Sequence, residues 1–157
     1  MRILILSNFY PPSRSWGYTQ LCEEVSQRLQ ARGHTVAVLT SNYGRDAISG
    51  PEENVHRSLH LESDPFFYDP IAFFVRRPFY QRQNKTALLA LVKNFQPDLI
   101  FIWGMWNMSH RLPAVAEALG HPKVVYYLAD HWPVLPTAHE EYWRLPTRRP
   151  YLRPFKK

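Results

Sequence analysis

The chain has 157 residues, 45% hydrophobic and 20% charged, with a formal net charge of +6. This length and balance predict one globular domain and exclude a disordered chain. Cys22 is the single cysteine, which excludes a disulfide scaffold and a zinc finger or ribbon. No apolar run reaches the ~18 residues of a membrane-spanning helix, and the first apolar run is too short for a secretory signal. We therefore expect a cytoplasmic protein.

The excess positive charge lies at the end of the sequence. Six basic and no acidic residues fall between Arg144 and Lys157, whereas residues 1–143 carry 13 of each sign. A neutral body argues against a nucleic-acid-binding face. Three prolines in the same segment predict a tail without a helix, which is either a solvated linker or a contact for acidic lipid or an acidic partner.

The first forty residues predict a strand, a helix and a second strand. The strands are the aliphatic runs 2–6 and 35–39, and Gly33 follows the end of the helix as its stop. Such a unit places its two strands parallel in one sheet. The later chain predicts a strand at 55–61, an aromatic and basic loop at 63–80, a helix from about Tyr80 to Phe95, a strand at 99–103, a helix between Ser109 and Gly120, and a strand at 123–128.

This order of elements predicts a Rossmann-like α/β domain with a doubly wound, mostly parallel sheet and helices on both faces. Ligands of such sheets bind beyond the carboxyl ends of the strands. We therefore look for chemistry at four strand ends, which are residues 7–17, 40–44, 104–109 and 129–132.

The first strand end holds candidates for anion binding. Ser15, Trp16 and Gly17 stand at a predicted helix N-terminus, where free N–H groups and the helix dipole favour an anion. A plain turn between loop and helix explains them equally well. The loop lacks the G-x-G-x-x-G pattern, which disfavours a nicotinamide or flavin dehydrogenase.

The last two strand ends hold candidates for acid–base chemistry. Asp130 and His131 follow the last strand, where they offer an acid or a base, or alternatively cap a turn and lie at the surface. Asn107, after the preceding strand, is a candidate to bind a hydroxyl, with core packing as its alternative. The other histidines show no metal-ligand spacing, so no metal site is expected.

Several segments, in order, resemble glycosyltransferases of family 4. They are Met1–Pro12, the helix end Ala31-Arg32-Gly33-His34 with the strand after it, Gln96-Pro97-Asp98-Leu99-Ile100, and Tyr126–Pro133. The resemblance covers residues 1–133 apart from the insert loop at 63–80. It implies the N-terminal, acceptor-side half of a GT-B enzyme, followed at 134–157 by a tail or the start of an interdomain linker. The family's donor-binding second domain has no counterpart in this sequence, so the resemblance implies that the chain alone is inactive.

The resemblance also implies roles for residues. It implies retaining hexosyl transfer from a nucleotide-sugar donor, with no other cofactor, to a sugar or lipid-linked acceptor. Trp16 stands where the family has the first of two glycines, and Ala129 where it commonly has a histidine. The catalytic role therefore moves to Asp130, and the candidates for binding donor phosphate or substrate are Ser15, Trp16, Gly17, Asn107 and His131.

The aromatic and basic residues of the insert loop suit a membrane interface with anionic lipid. A peripheral position at the inner face of the membrane is thus one expectation, and a lid or an interface with another domain or a second copy is the other. Two further hypotheses for the function stay open. They are a non-catalytic binding or assembly module of the same fold, and an unrelated Rossmann-like nucleotide-binding protein.

Overall fold

The structure, a computed structural model, describes residues 1–12, 17–48, 50, 52–66, 71–146 and 154. A 3-10 turn lies at Arg45–Ala47 and a π turn at Ala72–Arg76. No helix in this part of the chain is long and apolar enough to cross a membrane. The strands and helices are β1 (Arg2–Leu6), α1 (Gly17–Ala31), β2 (Thr35–Ser41), β3 (Val55–Leu59), α2 (Arg77–Phe95), β4 (Leu99–Ile102), α3 (Arg111–Ala118), β5 (Lys123–Tyr126) and α4 (Ala138–Arg144).

The strands pair in parallel in one sheet with the order β3-β2-β1-β4-β5. β1 is central, so Ile5 lies opposite Val38 of β2 on one side and Phe101 of β4 on the other. The order reverses at β1 because the second half of the chain adds its strands on the other side. This topology confirms the predicted Rossmann-like α/β domain.

Side chains alternate along each strand, so β1 contributes to two cores. Leu4 and Leu6 pack in a cluster that includes Leu88 of α2 and residues of α3. Ile3 and Ile5 pack in a second cluster with Cys22 of α1. Helices therefore cover both faces of the sheet, as the uninterrupted aliphatic strands predict.

The predicted helix stops are confirmed. Gly33 (φ 82°) and Gly120 (φ 68°) adopt the left-handed conformation that glycine tolerates without strain. Their N–H groups donate to the carbonyls of Gln30 (2.9 Å) and Glu117 (3.1 Å). At the other end of α3, the Ser109 hydroxyl accepts a hydrogen bond from the N–H of Arg111 (3.3 Å).

The loop predicted at 63–80 is wrong for its second half, because the chain is helical from residue 71 onward. Pro78 lies near the beginning of α2, directly after the π turn. Proline is tolerated in a first turn, and the wider π turn leaves space for its ring. Residues 67–70 of the predicted loop lie outside the described residues.

The segment 134–157, expected to be a tail or the start of a linker, contains a helix that the sequence analysis did not predict, α4. Thr137 and Glu140 form a capping box. The Thr137 hydroxyl accepts from the Glu140 N–H (3.3 Å), and the Glu140 carboxylate accepts from the Thr137 N–H (2.9 Å), which lowers the pKa of Glu140. α4 ends at Arg144, two residues before Pro146. Residues 147–153 and 155–157 lie outside the described residues.

A buried arginine ties β3 to the loop after β1. Arg57 is 6% exposed, and its guanidinium contacts the Glu52 carboxylate through two N–H groups (2.6 and 2.7 Å). It also donates to the carbonyls of Tyr10 (3.0 Å) and Pro11 (2.5 Å). Because a buried guanidinium needs acceptors, these contacts hold residues 10–11 against β3.

Candidate functional site

An open cavity of about 530 Å³ lies at the carboxyl ends of β4 and β5. Its lining comes from the segments that follow β3, β4 and β5, and from the beginning of α4. This is the edge at which parallel sheets bind ligands. The lining includes Ser63, Trp106, Asn107, Asp130, His131 and Trp132.

Asp130 and His131 reach the cavity from the loop after β5, and both are exposed. Asp130 Oδ1 accepts a hydrogen bond from the N–H of Trp132 (2.9 Å), an Asx turn that fixes the carboxylate at the rim. The His131 carbonyl accepts from the N–H groups of Val134 and Leu135 (both 3.1 Å) and closes the next turn. Asp130 thus caps a turn while its carboxylate stays accessible to a ligand.

Asn107 lines the same cavity, but its amide is engaged by the chain itself. Its Oδ1 accepts from the Ser63 hydroxyl (2.9 Å) and N–H (3.2 Å), and its Nδ2 donates to the Ser63 carbonyl (2.6 Å). Its φ of 60° is left-handed, which asparagine tolerates better than most residues. Asn107 therefore joins the segment after β3 to the segment after β4, and its role in binding a hydroxyl stays a prediction.

Trp132 forms a buried wall of the cavity. It is 6% exposed, and its ring lies 5.9 Å from the ring of His110 and 6.3 Å from that of Tyr126. The indole N–H is buried, and no described residue accepts from it. An unpaired buried donor costs about 1–3 kcal/mol, so this group gains from an oxygen atom brought by a ligand or a water molecule.

The end of β1 supports the site from behind. Asn8 is fully buried; it donates to the Trp106 carbonyl (2.7 Å) and accepts from the Tyr18 hydroxyl (3.0 Å). The Tyr18 ring lies so close to Gly104 that an added Cβ would stand 2.9 Å from Tyr18 Cε2. Burial raises the pKa of Tyr18, and the negative charge of Asp130 adds to the effect. Tyr18 thus occupies the space between the end of β1 and the end of β4.

Of the candidates in the first loop, the structure describes Gly17, which begins α1. Ser15 and Trp16 lie outside the described residues. A Cβ added to Gly17 would meet no described atom within 4 Å, so the packing there does not require glycine. The anion-binding role of these three residues stays a prediction.

His110, Thr137 and Glu141 also line the cavity, although they were not among the residues expected there from the sequence. Thr137 and Glu141 come from α4 and its cap. The spacing of Thr137 and Glu140 was the available signal, because a threonine three residues before a glutamate is typical of a helix N-terminus. His110 follows Ser109 in an ordinary turn, and no motif sets it apart from the other histidines.

The profile of glycosyltransferase family 4 matches residues 17–157. A comparison with curated proteins found no match. The family match spans most of the chain, including α1, the ends of β4 and β5, and α4. It agrees with the parallel α/β sheet. The chain belongs to glycosyltransferase family 4, in which it corresponds to the N-terminal domain.

Proposed function

We propose that this chain is the acceptor-binding domain of a retaining glycosyltransferase that transfers a hexosyl group from a nucleotide sugar. The observation that carries the proposal is the cavity at which Asn107, Asp130 and His131 meet, in a chain of family 4. Its volume of about 530 Å³ falls within the range of small-ligand pockets, about 300–1,000 Å³.

The acceptor, a sugar or the head of a lipid-linked acceptor, occupies this cavity in our proposal. Trp106 and Trp132 offer aromatic surface to a sugar ring, and Asp130 offers a carboxylate. A carboxylate beside a hydroxyl accepts its proton as the oxygen attacks. Asp130 is therefore the catalytic candidate, and Asn107 and His131 are candidates for binding acceptor hydroxyls.

The donor phosphates belong, in this proposal, near the beginning of α1, at Ser15, Trp16 and Gly17. Sugar transfer passes through an oxocarbenium-like state while a phosphate leaves with negative charge. The leaving group needs N–H donors or cations that are already in place. One helix N-terminus supplies a small part of this stabilisation, so the proposal assigns most of the donor binding to a second domain and predicts no transfer by the chain alone.

A non-catalytic binding or assembly module is the second candidate function. Two observations favour it: Asp130 Oδ1 already accepts from Trp132, and Ala129 stands where the family resemblance implies a histidine. Such a module binds a glycan or a partner in the same cavity without activating a hydroxyl. Membership of family 4 removes the third hypothesis, an unrelated Rossmann-like nucleotide-binding protein.

Ligand-observed NMR with the 157-residue chain tests the acceptor site. We expect saturation transfer to members of a panel of mono- and oligosaccharides, and weak or no transfer to nucleotide hexoses. Asp130→Asn and Trp106→Ala should each weaken saccharide binding at least fivefold. Asp46→Asn, at an exposed position of the 3-10 turn, is the matched control. Binding that Asp130→Asn and Trp106→Ala leave unchanged would contradict the assignment of this cavity.

A second measurement separates the two candidate functions. The chain is immunoprecipitated from its source cell, and hexosyl transfer from labelled nucleotide sugars is measured on the precipitate. A transferase domain should bring down activity that Asp130→Asn abolishes. Saccharide binding without any co-precipitating transfer supports the binding module instead.

A further inference from the structure

The helical segment 71–95, made of Ile71, the π turn and α2, carries cations and no acidic residue. One of its cations, Arg77, is half-buried and pairs with Glu62 (2.8 Å). Arg76, Arg82 and Lys85 are exposed, and none of them forms an ion pair with a described residue. The charged side chains on the exposed side of this segment are therefore all positive.

The same side carries apolar residues. Ile71, Val75 and Phe79 recur every four residues, which places them along one side of a helix. Their exposed fractions are 57%, 71% and 59%. The opposite side is buried through residues such as Phe73 and Leu88. A contiguous exposed apolar stripe next to cations marks an interaction surface and is not needed for folding.

A groove of about 500 Å³ runs beside this stripe, between α2 and α3. Its walls include Leu112 and Val115, and Arg82, Lys85 and Arg111 also line it. None of the described residues that line the groove is acidic. Apolar walls with three cations suit a partner that combines apolar groups with negative charge.

We propose that this surface docks on the headgroup layer of an anionic lipid bilayer. We define the α2 surface as Ile71, Val75 and Phe79 together with Arg76, Arg82 and Lys85. Apolar side chains enter the boundary between headgroups and acyl chains, and cations at the same level contact lipid phosphates. A second copy of the chain is a poorer occupant, because a symmetric contact sets cations against cations.

The position of the α2 surface suits this partner. The segment 71–95 connects β3 to β4, so it begins at the carboxyl edge of the sheet, where the candidate site opens. Ser109 lines the groove, and its neighbours Met108 and His110 line the site cavity. A docked bilayer thus lies next to the site. The docking itself does not depend on the proposed sugar transfer, although a lipid-linked acceptor would reach the site from this side.

Vesicle flotation of the 157-residue chain tests the proposal. The vesicles are neutral phosphatidylcholine, alone or with phosphatidylglycerol, and we expect binding to the anionic ones. Each cation near an anionic surface contributes about 1 kcal/mol, or roughly fivefold in binding. Arg82→Glu with Lys85→Glu should therefore lower the partition coefficient on the order of 25-fold or more. Arg32→Glu with Lys123→Glu is the control, because it changes the net charge equally at exposed positions of the opposite sheet edge.

The control distinguishes binding through the α2 surface from binding through net charge or through the basic tail. Both variants have the same net charge, and both keep the tail. Retained binding by the control and loss by the α2 variant support the proposal. No binding to anionic vesicles, or equal binding by the two variants, overturns it. So does sedimentation of the parent chain as a dimer that Arg82→Glu with Lys85→Glu dissociates, because a second copy then covers this surface.

A probe of depth tests whether the stripe enters the bilayer. Cys22 is fully buried, and burial raises the pKa of its thiol to about 12, so a cysteine placed at the surface is labelled selectively. A polarity-sensitive fluorophore at Phe79→Cys should shift to the blue with anionic vesicles, and one at Arg32→Cys should not. Unchanged emission at residue 79 during vesicle binding would overturn insertion of this stripe. Neither assay requires sugar transfer, so failure here leaves the proposed function standing.

Discussion

The polar side chains at the two halves of the carboxyl edge of the sheet differ in their exposure. At the ends of β1 and β2, Ser7, Asn8 and Thr40 are fully buried. At the end of β5, Asp130 and His131 are exposed and line an open cavity. Parallel strands alone would allow a ligand site at either half. Coverage by neighbouring segments of the same chain leaves the half formed by β4 and β5 open to a ligand.

The covered half depends most on Arg57, so its removal should have the largest effect on stability. Arg57→Ala leaves the Glu52 carboxylate and the carbonyls of Tyr10 and Pro11 without their donor. Breaking a buried ion pair from one side costs about 3–5 kcal/mol. We expect a loss of about 3 kcal/mol in the free energy of unfolding, measured by urea denaturation.

Arg45→Ala is the control for this loss, because Arg45 is exposed in the 3-10 turn. Exposed positions of this kind usually change stability by less than about 0.5 kcal/mol. Equal unfolding midpoints for Arg57→Ala and Arg45→Ala would show that the covered half does not rest on the arginine.

Substitution of Gly104 tests the close packing at the boundary between the two halves, where Gly104 meets Asn8 and Tyr18. The Cβ of alanine would lie 2.9 Å from Tyr18 Cε2 and 3.2 Å from Asn8 Oδ1, and overpacking of this kind costs about 1–3 kcal/mol. We expect Gly104→Ala to destabilise the chain by about 2 kcal/mol. Tyr18→Ala removes the conflicting ring, so the double variant should be more stable than the sum of the single effects. Strict additivity would contradict the close contact.

Substitution of Asn107 tests whether its hydrogen bonds to Ser63 stabilise the open half of the edge, which is the half with the cavity at the ends of β4 and β5. Asn107→Ala removes three hydrogen bonds to Ser63 and places alanine at a left-handed φ of 60°. Asn107→Gly removes the same bonds but tolerates the backbone conformation. We expect Asn107→Ala to lower the free energy of unfolding, measured by urea denaturation, by about 2 kcal/mol. Asn107→Gly should lower it by about 1 kcal/mol less. Equal losses of stability in the two variants would indicate that the hydrogen bonds of the amide, and not the backbone conformation, account for the destabilisation.

The fold could be predicted from the sequence wherever a single local pattern determined the structure. Short aliphatic runs bounded by turn residues predict β1, β2, β4 and β5, and alternation of apolar and polar residues predicts β3. Gly33 and Gly120 predict helix ends that the structure confirms. The edge rule then predicts that Asp130 and His131 lie near the end of the neighbouring strand. These inferences need only local patterns and the geometry of a parallel sheet.

Other features required tertiary information. Arg57 shares the alternation phase of Val55 and Leu59, yet no local pattern in the sequence indicates its acceptors. Two of them are the carbonyls of Tyr10 and Pro11, which lie 47 and 46 residues earlier. Asn107 shows no sign in the sequence of its contact with Ser63. Prolines masked the helix from residue 71 because the π turn that accommodates Pro78 has no sequence signature.

The wall of the cavity formed by α4 should respond to pH, with a smaller effect than the substitutions above. The ring of His139 lies near those of Phe73, Phe74 and Trp143. Its Nε2 accepts from the Trp143 indole N–H (3.1 Å), which requires a neutral ring. Burial lowers the pKa of His139, and the positive charge of Arg77 adds to the effect.

A histidine whose pKa is lowered in the folded state contributes stability above its unfolded pKa of about 6.5 and loses that contribution as the pH falls. The unfolded chain takes up the proton first, so acid should weaken the packing of α4 before it unfolds the sheet. We expect near-ultraviolet circular dichroism of the tryptophans to change below about pH 6 while the far-ultraviolet signal persists. His139→Gln should reduce this change. His60→Gln is the control, because burial also lowers the pKa of His60 but that residue stacks on Tyr80 of α2. A spectral change that His60→Gln removes and His139→Gln leaves intact would assign the acid sensitivity to α2, and the open half would then keep its α4 wall at low pH.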